Sequence, residues 1–295
     1  MLAHEVDRLR LDRWVTLSLA APLGSVVRAP GSAHIPILMY HSIADDADVD
    51  VHPYFRTVTT PRVFKQHIRL LRAKGYQTIG LAEAAQRLTQ AGDGQHDRLE
   101  RKVVITFDDA FADVHTTAFP ILQDAGYTAS VFVPTDFIGR EFLNRRRCMN
   151  AAQLRELHRH GFEIGSHSVS HGKLVALSRD ALAQELTHSK QAIEDCTGEQ
   201  VSLFSYPFRF PEANRRFVAM LSEVLLASGY RAGVTTTIGC SGPKDDVLML
   251  PRLPVNDRDD DALLGAKLAG HYDWLRLGQR VGKYCREWVQ PRRAA

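Results

Sequence analysis

Lys102-Val103-Val104-Ile105-Thr106-Phe107-Asp108-Asp109 is an apolar run that stops abruptly at two carboxylates. Its β-branched and aromatic residues lack the alternation of a half-exposed strand, so it reads as a strand buried on both faces. Strands of that kind belong to parallel sheets covered by helices. The two acids mark its C-terminal end, where the backbone turns and both side chains can reach the same space. Two anions this close repel unless a cation binds; a helix cap or an Asx turn is the competing use of either one.

Outward from this strand, short apolar runs alternate with stretches of helical period. Ile35–Tyr40, Ser130–Val133, Glu163–Gly165, Val201–Ser205, Arg231–Val234 and Val247–Leu250 read as further strands. Helices are expected around Phe64, Ile68 and Leu71 up to Gly75, and over Leu81–Leu88, Ala118–Asp124, Ala151–His160 and Arg179–Cys196. The alternation predicts an α/β fold, a (β/α) barrel of seven or eight strands with its active groups at the strands' C-terminal ends. A chain of 295 residues suits one such barrel. The expected division is an N-terminal helix and linker over 1–33, the barrel over 34–258 and a helical extension over 259–295. One or two amphipathic helices are expected within Asp261–Trp288.

A second landmark lies some sixty residues on, where Phe162-Glu163-Ile164-Gly165 delivers Ser166-His167-Ser168-Val169-Ser170-His171. An i, i+4 pair of imidazoles is a common zinc-binding spacing. Among 13 histidines some coincidences are expected. His158 and His160, late in a helix, read as surface residues, whereas His167 and His171 follow a strand amid small polar neighbours. Two imidazoles and one carboxylate hold a divalent ion with positions left open, and a spare carboxylate can take a proton from water.

Thr106-Phe107-Asp108-Asp109-Ala110, Ser166-His167-Ser168-Val169-Ser170-His171 and Ser205-Tyr206-Pro207-Phe208 resemble, in order, the first three motifs of the polysaccharide deacetylases (carbohydrate esterase family four, the NodB-homology domain). The resemblance covers about Ile35 to Asp257. It implies a distorted (β/α) barrel that hydrolyses N-acetyl groups on amino sugars with a divalent metal, zinc foremost, with cobalt, nickel, iron or manganese as alternatives. By that resemblance Asp108 is the base, while Asp109, His167 and His171 hold the metal. Phe208 supplies an oxyanion-holding backbone N–H, a role indifferent to its side chain.

Three positions depart from the pattern. Ala110 stands where the family has glycine, and Ser205 where it has an arginine that steadies the base. Arg209 and Arg252 are candidates to replace that arginine, with Arg252 preferred because Leu250-Pro251-Arg252 is expected at a strand end. The late leucine-histidine motif that supplies the acid is not evident, and His271 lies in the terminal helices. Leu38-Met39-Tyr40-His41-Ser42 instead resembles the N-terminal motif of the poly-N-acetylglucosamine deacetylase branch, which makes His41 the expected acid; a structural histidine bonding a loop carbonyl is the alternative.

A net charge of +3 argues against a nucleic-acid partner. Basic residues gather at Arg145-Arg146-Arg147 and at Arg276, Arg280, Lys283, Arg286, Arg292 and Arg293. A solvated face and tail is their plain reading, and weak contact with a membrane surface or with a glycan-pathway partner is the other. Nothing later in the chain reaches membrane-spanning length. Four dispersed cysteines, Cys148, Cys196, Cys240 and Cys285, suggest neither a disulfide framework nor a zinc ribbon. The expected location is therefore cytoplasmic, with periplasmic or membrane-associated placement as the alternative. The expected partner is an N-acetylated glycan substrate. Rival functions are hydrolysis of another amide, ester or cyclic nitrogen compound, an inactive glycan-binding relative, or a scaffold for glycan enzymes.

Overall fold

The structure is a computed structural model that describes residues 10–23, 34–45, 56–91 and 99–276. Seven parallel strands close into a ring: β1 Ile37–Tyr40, β2 Lys102–Phe107, β3 Ser130–Val133, β4 Glu163–Ser166, β5 Leu203–Ser205, β6 Ala232–Ile238 and β7 Leu250–Pro254. Consecutive strands are neighbours, and β7 returns to β1 with Leu38 opposite Leu253. A two-residue strand, Gln77–Thr78, pairs with Lys102 and Val103 and stays out of the ring. The barrel is thus seven-stranded.

Side chains alternate along a strand, and burial follows that period. Ile37, Val104, Phe132, Leu203, Ala232, Val234 and Leu250 form an inner cluster together with Leu81, Ala84, Ala85 and Leu88 of the helix Leu81–Gln90. Their neighbours Leu38, Tyr40, Val103, Ile105, Phe107, Val131 and Val133 join the larger cluster beneath the outer helices. The helix Leu81–Gln90 therefore plugs one end of the barrel. That end is the N-terminal one, because Glu163, first residue of β4, accepts the Leu81 and Ala82 N–H groups at 2.5 and 3.1 Å. Glu163 caps a helix whose N-cap residue, Gly80, has no side chain to do so. The opposite, C-terminal end is left as the mouth.

Helix boundaries follow local chemistry. Pro61–Ala73 begins with Pro61 behind the N-cap Thr60, and Ala151–Arg159 begins with a reciprocal Asn150/Gln153 capping box. Two strands differ most from expectation. Val247–Met249 is a turn because Asp246 holds the Leu248 N–H through its side chain and the Met249 N–H through its carbonyl, each at 2.9 Å. The strand starts at Leu250 instead and runs through Arg252, so Arg252 lies inside β7 and not at its end. β6 extends to Ile238, with a register shift against β7 between Val234 and Ile238.

Within the span expected to hold one or two helices, Asp261–Leu268 is helical and a further helical turn begins at Trp274. Asp261–Leu268 ends two residues before Gly270, whose φ of 74° suits glycine. The N-terminal helical segment, Leu11–Val15 continuing into a π turn at Thr16–Ala20, lies against it. There Tyr272 Oη donates to Asp12 at 2.6 Å and Trp274 Nε1 to Thr16 Oγ1 at 3.0 Å. Arg145-Arg146-Arg147 is not one solvated face: Arg146 is partly buried and donates to Ser42 Oγ at 3.0 Å. Residues 24–33 of the expected linker, Cys285, the span 277–288 and the basic residues from Arg280 to Arg293 lie outside the described residues. Among the described residues no helix is long and apolar enough to cross a membrane.

Candidate metal centre

Strand parity explains who meets at the mouth. Val104 faces the barrel interior, so Thr106 and Asp108 continue the same inward row, as His41 continues Ile37 and Met39. β1 and β2 are paired, and the Asp108 N–H donates to the Tyr40 carbonyl at 3.0 Å, which sets His41 beside the acid pair. On β5 and β7 the inward rows are Leu203–Ser205 and Leu250–Arg252.

Arg252 is 1% exposed and spends all its donors in this interior. It grips Asp108 with two parallel bonds, Nη1 to Oδ1 at 2.8 Å and Nη2 to Oδ2 at 2.7 Å. It also donates to Thr106 Oγ1 at 3.1 Å, Ser205 Oγ at 3.0 Å and the Thr235 carbonyl at 3.0 Å. Ser205 Oγ in turn donates to Asp108 Oδ1 at 3.1 Å. A guanidinium thus reaches Asp108 from β7, and the small side chain at position 205 bonds it instead of competing for its space. Arg209 is exposed and takes no part. Burial acts to raise the Asp108 pKa, but the Arg252 charge, with His167 and His41, holds it well below the ordinary carboxylate range.

Asp109 turns out of β2 with φ 67°, followed by Ala110 at 48°. This left-handed bend brings consecutive carboxylates to one mouth, and Ala110 pays a methyl's steric cost that glycine would avoid. Among the described residues, three of the remaining five non-glycine residues with positive φ are Ser168, His171 and Phe208, so the strain is concentrated around the site. The bend is clamped from outside: Met149 N–H donates to the Ala110 carbonyl at 2.8 Å and Cys148 Sγ to the Asp109 carbonyl at 3.3 Å.

His167 Nδ1 lies 2.8 Å from the Ser205 carbonyl, which fixes it as the protonated nitrogen and leaves the Nε2 lone pair toward Asp109. Burial pushes the His167 pKa down to about 4, so the ring is neutral, the state a ligand requires. Asp109 Oδ1 has His171 Nε2 at 3.3 Å and His167 Nε2 at 3.6 Å, yet it is buried without an aligned hydrogen bond. Ligand atoms of Asp109, His167 and His171 all lie within 4.8 Å of one another. Burial acts to raise the Asp109 pKa, but the facing imidazoles of His171, His41 and His167 keep it lowered. A buried carboxylate oxygen without a donor, faced by two imidazole nitrogens, fits a divalent cation.

Aromatic rings frame His171. Phe142 meets it edge-on at 5.0 Å and Phe208 at 4.6 Å between ring centres. Phe142 also packs on Phe137 at 4.1 Å, so it fills the loop around His171. Phe208 as a whole residue is 48% exposed. His271 follows the C-terminal helix and belongs to neither the parity rows nor this cluster. Sequence reasoning treated Ser205 only as a missing arginine and passed over Thr106; the inward parity of β2 and β5 was the signal for both.

Residues 95–224 match the family described as "Polysaccharide deacetylase". The YxkH protein of Bacillus subtilis (strain 168) is 29% identical over 240 residues, 81% of this chain and 78% of that protein. The poly-beta-1,6-N-acetyl-D-glucosamine N-deacetylase of Escherichia coli (strain K12) is 29% identical over 142 residues, covering 44% of this chain but 20% of that protein. Two solved structures share the fold. The Streptococcus pyogenes deacetylase PplD has a TM-score of 0.67 at 22% identity, over 80% of this chain and 99% of that one. IcaB from Ammonifex degensii has 0.64 at 19%, over 81% and 97%. Residues 95–224 thus match a polysaccharide deacetylase domain, and the two solved structures share its barrel fold.

Proposed function

We propose that this protein is a metal-dependent hydrolase that removes N-acetyl groups from amino-sugar residues of a glycan. The observation that carries it is the buried, unbonded Asp109 Oδ1 facing His167 and His171, next to an Arg252-clamped second carboxylate. Asp109, His167 and His171 would hold the ion, which when bound supplies Lewis-acid polarisation and a more acidic water. Asp108, kept ionised by Arg252, takes the proton of the attacking water. The Phe208 N–H donates to the acetamide oxygen as it gains charge. His41, beside the acid pair, gives a proton to the departing amine, which an amide needs in order to expel its nitrogen. The products are acetate and a free amino sugar. Zinc is the first ion to try, because a His-His-Asp set accepts several first-row metals.

The test is acetate release from N-acetylglucosamine oligomers, compared with acetamide and with simple acetyl esters. Release is expected from the oligomers, abolished by a chelator and restored by Zn²⁺. Full activity after chelation, or release from simple amides but not from glycans, overturns the reading.

A further inference from the structure

The two histidines of the site are aimed by different means. His167 is held through its ring, by the Ser205 carbonyl. The His171 ring packs between Phe142 and Phe208 but has no comparable hydrogen-bond anchor among the described residues, so its direction depends largely on its backbone. That backbone is strained: Ser168 has φ 67° and His171 φ 52°. Non-glycine residues stay in this region only where their surroundings over-determine them.

Three sets of bonds do so. Thr135 N–H and Asp136 N–H donate to the Ser168 and Val169 carbonyls at 3.1 Å each. Ser189 Oγ donates to the Ser168 carbonyl at 3.0 Å, and the Ser168 hydroxyl accepts the His171 N–H at 3.0 Å. The third set converges on one atom. Glu185 Oε1, from the helix Arg179–Thr197, accepts Val169 N–H at 3.1 Å, Ser170 N–H at 2.8 Å and Ser170 Oγ–H at 2.7 Å. Two consecutive N–H groups aimed at one anion make a nest. It spans the two residues that lie between strained Ser168 and strained His171.

We propose that Glu185 is a positioning residue of the metal centre, acting through the 168–171 backbone to aim His171 at the ion. The proposal rests on the metal-centre reading above. It touches neither substrate nor ion, and its effect is read in metal binding. Hydrogen-bond partners behind metal ligands typically change affinity by about 10- to 100-fold.

The experiment titrates Zn²⁺ into metal-free wild type, Glu185→Ala and Glu185→Gln, and records the visible spectrum of each loaded with Co²⁺. Glu185→Ala is expected to bind Zn²⁺ about 10- to 100-fold more weakly and to show an altered Co²⁺ spectrum, with circular dichroism confirming a folded chain. Glu185→Gln keeps an acceptor oxygen at the same reach and is expected to recover most of the affinity. A folded Glu185→Ala with wild-type affinity and spectrum overturns the proposal, as does Glu185→Gln as weak as Glu185→Ala. If Glu185→Ala does not fold, Glu185→Asp decides: its carboxylate is one methylene short, and undiminished Zn²⁺ affinity refutes the role. Wild type that binds no Zn²⁺ instead removes the metal centre itself, so the two failures are told apart.

Discussion

Replacing Arg252 with methionine, similar in length but uncharged, tests the electrostatic core of the site. The wild-type guanidinium makes both bonds to Asp108 at 2.8 and 2.7 Å, from a position 1% exposed. Removing one partner of a buried ion pair costs about 3–5 kcal/mol if the other stays charged. Asp108 can escape part of that cost by taking a proton, since burial then acts on its pKa without the main opposing charge. Each route has its own readout. Stability at pH 7 is expected to fall by several kcal/mol, and acetate release by about two to four decades, the usual worth of a general base. Part of the activity should return as the pH is raised and the carboxyl ionises. Adding Asp108→Asn removes the stranded charge, so in a double-mutant cycle followed by urea unfolding the pair should couple by more than about 1 kcal/mol. Additive effects, or near-normal turnover of Arg252→Met at pH 7, would refute the assignment of Arg252 as the residue that keeps the base ionised.

Two further outcomes are expected. His41→Ala should lose about two to four decades on N-acetyl substrates but far less on an activated acetyl ester, whose leaving group needs no proton; equal losses on both would exclude His41 as the acid. The metal-free protein should weaken in mild acid. His167 is pushed from 6.5 down to about 4 by burial, so between those values the unfolded chain binds a proton that the native one refuses. Stability must then fall as pH falls through that window, by up to about 3 kcal/mol. Asp108 and Asp109, whose pKa values are lowered, keep their contribution above the ordinary carboxylate range and lose it only at lower pH. Urea midpoints at pH 7 and pH 4.5 check this, and a flat profile would show that the His167 ring is not buried neutral.

Much of this protein is written in local spacing. The run ending at Asp108-Asp109 and the His167/His171 interval both identify themselves, because a strand's two-residue period and the reach of a short loop are short-range properties. The same holds for the βα alternation that announces a parallel barrel. Strand limits were less legible at Val247, where Asp246 diverts the backbone into a turn by a bond that apolarity does not reveal.

The choice between Arg209 and Arg252 shows where local reading ends. Both were available in the chain, and only closure of β7 onto β1, with the register shift against β6, sends Arg252 inward to Asp108 some 144 residues away in sequence. Ser205 acquired its meaning in the same way, as the partner of a guanidinium arriving from another strand. Residue types and their periods are carried by neighbours along the chain, so the acids, the histidines and the fold class were readable there. Which charge meets which depends on barrel closure and side-chain parity across strands, and that is a property of the packed ring alone.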